Sequence, residues 1–155
     1  MLCHVFRVIP NFLASGLLPQ GVHWASETEI RVRFGTNAHR SRLLGGLDRA
    51  CKALAFAGCG AVFLDGSFAT EKDVPTDYDA CWDMVGVSLV RLDPVLQDFG
   101  NLRAAQKAKY FGEFFPAQFP ATPAHPFQSF FDFFQIDKLT GDPKGIIGIN
   151  LKAKP

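Results

Sequence analysis

The stretch from Asn37 to Asp65 constrains this chain most, because it joins a long helical period to a short apolar run through a glycine break. Leu43, Leu47, Ala50 and Leu54 recur at spacings of four, three and four, which is one face of a 3.6-residue helix. Asn37 or Thr36 is placed to cap it, and Arg40, Arg42, Arg49 and Lys52 are expected to fall largely away from the apolar face. Gly58 ends the period and Gly60 follows it. The next five residues, AVFLD from Ala61 to Asp65, read as a buried strand. A helix with one apolar face followed by such a strand has to be stacked on a sheet, so the fold class is α/β (α+β), a small mixed sheet flanked by helices.

The remaining chain supports that class. Residues 77–87 and 110–115 read as further strands, and GIIGINL at 145–151 as the last one. Between Arg91 and Lys109 the pattern is weakly helical. Phe127, Phe130, Phe131 and Phe134 lie at helical spacing and predict a helix over 127–134. Residues 13–28 read as loop, with Ser26 and Glu29 spaced as a capping box, so 1–30 is an irregular N-terminal lead to one domain spanning 1–155. Nine of the 16 phenylalanines fall between Phe111 and Phe134, among four prolines. That window is either packed core with a proline-broken loop or an aromatic surface that docks a base or a partner.

Composition removes several function classes. With 16 basic and 15 acidic residues among 155, net charge +1 excludes a polyanion binder that works by bulk charge. The apolar stretch from Ala53 to Leu64 is 12 residues long, whereas a spanning helix needs about 20. The N-terminus lacks an export-signal pattern, and Cys3, Cys51, Cys59 and Cys81 form no C-x-x-C pair. The expectation is a cytoplasmic protein with reduced thiols and no membrane partner. His4, His23, His39 and His125 have no zinc-ligand spacing.

Charge is unevenly placed along the chain. Arg31 to Lys52 holds six basic residues and one acid, while Asp65 to Asp98 holds eight acids and two basic residues. Within the acidic stretch, Asp77 and Asp79 are one residue apart, and on a strand both carboxylates would share a face. Two such carboxylates repel unless a cation lies between them, and Mg²⁺, with Mn²⁺ as a substitute, suits an all-oxygen site. Gly66 and Ser67 end the preceding strand at a turn where backbone N–H groups and a hydroxyl can cradle phosphate.

Gly66-Ser67, nine intervening residues and then Asp77-x-Asp79 resembles the signature of the DNA polymerase beta-like nucleotidyltransferase superfamily. The chain is similar, within that group, to an uncharacterised bacterial and phage family. The motifs in question are GLLPQGVH at 16–23, DGSFAT at 65–70, PTDYD at 75–79, and FFQ at 133–135 with KGII at 144–147. The resemblance implies a minimal nucleotidyltransferase fold and a Mg²⁺-dependent transfer of a nucleoside monophosphate from an NTP to a hydroxyl of protein, RNA or a small molecule. It implies Asp77, Asp79 and Glu113 as catalytic metal-binding acids, with Asp83 a rival for the third place. Gly66, Ser67, Lys144 and Arg40 become the nucleotide contacts, and Arg42 joins the basic residues in reach of phosphate. Glutamate stands at 113 where aspartate is the family pattern. The alternative is a catalytically weak nucleotide-binding or antitoxin-like protein whose partner is a toxin-like protein or a second copy of the chain.

Overall fold

The computed structural model describes residues 9–65 and 67–152. In chain order the elements are β1 (Gly21–Trp24), α1 (Glu27–Phe34), α2 (Ala38–Phe56), β2 (Ala61–Asp65), β3 (Tyr78–Trp82), α3 (Gly100–Tyr110), β4 (Gly112–Pro116), β5 (Pro120–Thr122), β6 (His125–Ser129), α4 (Phe130–Phe133) and β7 (Gly145–Asn150). Short 3₁₀ turns occupy Ser67–Ala69 and Pro94–Gln97.

The long helix forms where its period places it. The Asn37 side chain accepts from the Arg40 backbone N–H at 2.8 Å, and Gly58 follows the last turn at φ +97°, a conformation that glycine adopts without steric cost. Leu43, Leu47, Ala50 and Leu54 are all buried on one side. The predicted capping box is also present: Ser26 Oγ accepts from Glu29 N, and the Glu29 carboxylate accepts from Ser26 N.

Five strands make one mixed sheet in the order β1-β7-β2-β3-β4, with β1–β7 and β3–β4 parallel and the two middle pairings antiparallel. β5 and β6 form a separate hairpin. This is the mixed α+β architecture that the helix–strand pattern predicts. Strand alternation divides the core in two. Val62, Leu64, Tyr78, Ala80, Trp82, Phe114, Ile147 and Ile149 share the main core with α1 and α2, whereas Cys81, Phe115 and Ile146 pack beneath Phe130, Phe131 and Phe134 on the opposite face. α3 lies along the edge strand β4. The buried Gln106 carboxamide oxygen accepts from Phe114 N at 2.7 Å and so covers an edge donor.

Several sequence expectations are corrected. The lead over 1–30 is not irregular throughout its described part, because Gly21–Trp24 pairs in parallel with Gly145–Gly148 and α1 starts at Glu27. A lone segment gives no sign of so distant a partner. The strand expected over 77–87 stops at Trp82, after which Asp83 Oδ1 accepts from Val85 N and Gly86 turns at φ +80°. The 127–134 segment is no single helix. It runs as strand to Ser129, whose hydroxyl accepts from Asp132 N at 3.1 Å and starts a one-turn helix, leaving Phe127 exposed. Arg40 does not fall away from the apolar face but is 3% exposed within α2.

Candidate functional site: an acidic row on the sheet

Register assembles the site. Asp65 pairs with Asp79 across β2–β3, and Asp79 pairs with Glu113 across β3–β4. Directly paired residues point the same way, so three acids stand side by side on adjacent strands about 5 Å apart. Asp77 flanks this row just ahead of β3. Two of the predicted catalytic acids, Asp79 and Glu113, are thus direct neighbours. Asp65 is a member that sequence reasoning quoted in a motif but did not assign.

The N-terminal end of α2 fixes how the chain enters β3. Arg40 donates to the carbonyls of Phe68 (2.8 Å), Thr70 (3.1 Å) and Lys72 (3.1 Å), and Asn37 Nδ2 donates to Asp73 O at 2.8 Å. His39 Nε2 meets the Pro75 carbonyl. Arg40, expected among the nucleotide contacts, therefore directs its guanidinium to the backbone of the 68–72 loop and positions the segment leading to Asp77. Gly66 and the Ser67 hydroxyl, the predicted phosphate turn, lie outside the described residues and atoms.

Cations border the row. Lys144 Nζ is 3.0 Å from Asp65 Oδ1 with both side chains largely buried, so Lys144 stands at the site, on the Asp65 carboxylate. Lys107 Nζ is 2.7 Å from Glu113 Oε1. Arg103, near the start of α3, lays its guanidinium over the Phe115 ring at 3.8 Å. Lys107 and Arg103 come from a segment whose weak helical pattern carried no sign of a site. Asp83, the rival third acid, lies four residues beyond Asp79, ~13 Å along the strand direction. Its Oδ1 accepts from Val85 N and Gln118 Nε2, outside the row.

Electrostatics follow from this crowding. Burial first, then the charges of Glu113, Asp77 and Asp65, push the Asp79 carboxyl up to about 7. Burial and Glu113 also raise Asp77, against the partial relief of Lys107 and Lys72. Among the described residues no three His, Cys, Asp or Glu side chains are grouped closely enough to hold a metal ion between them. The donor set is nonetheless all carboxylate oxygen, and its members destabilise one another's charge. That chemistry fits a hard divalent ion that takes one or two carboxylates and keeps several waters. Asp77 and Asp79 are the residues that would hold it, since Glu113 and Asp65 already face lysines. Beside Asp77 a pocket of about 260 Å³ is lined by Arg42, Leu43, Thr76, Lys107, Ala108 and Phe111, with the Arg42 guanidinium 4.0 Å over the Phe111 ring.

Among the described residues no helix is long and apolar enough to cross a membrane, and the described cysteines, Cys51, Cys59 and Cys81, are free and buried. A family model described as a family of unknown function (DUF6932) matches residues 10–150. No curated protein and no solved structure matches the chain.

Proposed function

The chain belongs to the DUF6932 family, and we propose that its acidic row is the active site of a Mg²⁺-dependent nucleotidyltransferase, which moves a nucleoside monophosphate from an NTP to a hydroxyl acceptor. The observation that carries this reading is the register that sets Asp65, Asp79 and Glu113 in line beside Asp77. Sheets seldom gather like charges without a partner for them, and the strongest partner available to such a row is a cation brought in with an anionic ligand.

Asp77 and Asp79 would hold the ion, and Mn²⁺ would be an acceptable substitute. When bound, it neutralises phosphate charge and favours in-line displacement at phosphorus. The Ser67–Ala69 turn that follows β2 is the proposed seat of the phosphates, its backbone N–H groups the donors. Glu113 accepts the proton of the acceptor hydroxyl as that oxygen bonds to the α-phosphorus and pyrophosphate departs. Lys107, 2.7 Å from Glu113, orients that carboxylate until the proton arrives. Lys144 orients Asp65 in the same way and lowers the net negative charge that an incoming triphosphate meets. The pocket beside Asp77 offers room for an acceptor, and protein, RNA or a small molecule can supply the hydroxyl.

The test is transfer of α-phosphate label from NTPs into native cell extract with Mg²⁺. Wild type should label a discrete acceptor, and Asp77→Ala and Asp79→Ala should each lose at least about a hundredfold in rate. Equal labelling by both variants rejects the assignment.

A second reading, a partner-binding protein on this fold, is favoured by one observation at the far end of the sheet. Phe56, Val85, Leu89 and Val90 are exposed where the 85–91 segment packs on the end of α2. A toxin-like partner or a second copy would cover that patch, and its binding would survive loss of Asp77 and Asp79.

A further inference from the structure

Lys107, Lys144 and Arg103 border the acidic row, and they differ in what their nitrogens already hold. Lys107 is fixed on Glu113 and Lys144 on Asp65. Arg103 makes no ion pair within 4 Å among the described residues, and its Nε–H is buried with no hydrogen-bond partner. Its place is nevertheless well defined. The guanidinium lies 3.8 Å from the centroid of Phe115 and 5.2 Å from that of Phe99. Phe115 is two residues beyond Glu113 on the same strand and the same face, so this stacking holds the cation next to the row and not merely near it. A guanidinium held through its flat face keeps its N–H edge for an acceptor. An edge of that kind matches two oxygens of one phosphate, which a lysine ammonium does not.

We infer that Arg103 is the phosphate-recognising residue of the site, its stacked guanidinium donating to the polyphosphate tail of the bound nucleotide. The inference rests on the nucleotidyltransferase reading and adds to it which end of the substrate is recognised and by which side chain. An arginine that only balanced the acids would be expected to bond to them directly. Here Glu113 faces Lys107 instead, and the guanidinium remains available to a ligand lying between Arg103 and Asp79.

Inorganic tripolyphosphate with Mg²⁺ probes this contact without choosing a base, and calorimetric titration of the full chain reads it. Wild type should bind tripolyphosphate and at least one of the four common NTPs. Arg103→Gln should weaken both about tenfold or more, while a distant charge change, Arg91→Gln, leaves both unchanged. Arg103→Lys keeps the charge and removes the planar fork. It should raise KM for the NTP about tenfold with kcat little altered, because the contact is made equally in ground and transition states. Circular dichroism checks that each variant is folded, and should Arg103→Gln fail to fold, the lysine variant carries the test alone. Unchanged tripolyphosphate affinity in a folded Arg103 variant overturns the inference and leaves the nucleotide site standing. A wild-type protein that binds neither tripolyphosphate nor any NTP overturns both.

Discussion

Asp79 has an acid paired with it on either side, Asp65 on β2 and Glu113 on β4, and most of its surface is removed from water. Its carboxyl therefore holds a proton to about pH 7, because burial and then the neighbouring charges disfavour the anion. A folded-state value raised above the unfolded one contributes stability that is complete below about pH 4 and is lost as pH rises through about 7. In buffer containing a chelator, wild type should melt at a lower temperature at pH 8 than at pH 5. Asp79→Asn should flatten that dependence and gain on the order of 1–3 kcal/mol at pH 8, relaxation and water access having discounted the full shift. The same variant should lose the stabilisation that added Mg²⁺ gives wild type. A variant less stable than wild type at pH 8 would mean that the acid is satisfied by a partner and not strained by its neighbours.

Elements are held at their separations by residues that leave no spare space. At Gly46 a Cβ would stand 2.0 Å from the Tyr110 carbonyl oxygen, so α2 meets the end of α3 backbone to side-chain-free backbone. Gly46→Ala forces the two helices apart and should cost about 3 kcal/mol, read by denaturant melting. Because α3 carries Arg103 and Lys107, the same change should weaken ligand binding more than a core truncation of equal cost elsewhere. The start of α3 holds strain of another kind. Asn101, Leu102 and Arg103 occupy left-handed backbone at φ +49°, +53° and +58°, a conformation that costs about 1–2 kcal/mol for each such residue. Leu102 is 81% exposed and gives up little packing. Leu102→Gly should therefore stabilise the protein by about 0.5–1 kcal/mol net of the added freedom of the unfolded chain, seen as a higher Tm. A lower Tm would show the left-handed turn not to be a cost.

At the scale of the molecule, the sheet separates two cores of unequal strength. The face toward α1 and α2 is lined by fully buried aliphatic and aromatic residues. The other is closed by partly covered rings, among them Phe131 at 4.8 Å edge-on to Phe63 and Phe130 at 4.5 Å from Phe115. Local opening is expected on the second face first. Phe131→Ala should speed hydrogen exchange in β5, β6 and α4 while leaving α2 amides at the global rate, and Leu54→Ala should instead lower the global stability by about 3 kcal/mol. Equal acceleration everywhere in Phe131→Ala would mean that the two layers unfold as one. The acidic row lies at the boundary of this looser layer, which gives a ligand somewhere to enter without disturbing the main core.

Much of the fold was legible because it is written in local periods. The α2 face, its Asn37 cap, the strands at 61–65 and 145–150 and the Ser26–Glu29 box each depend on residues within a few positions of one another. Local spacing also brought Asp77 and Asp79 to attention as a pair. What it could not supply is the identity of neighbours across a sheet, since the same strand can pair in many registers with partners far along the chain. Register alone placed Asp65 and Glu113 on either side of Asp79, paired β1 with β7, and brought Arg103 and Lys107 to an edge strand. The fold of the 68–72 loop turned Arg40 from an expected nucleotide contact into a buried clamp on that loop, because a helix position faces outward only until another segment is folded against it.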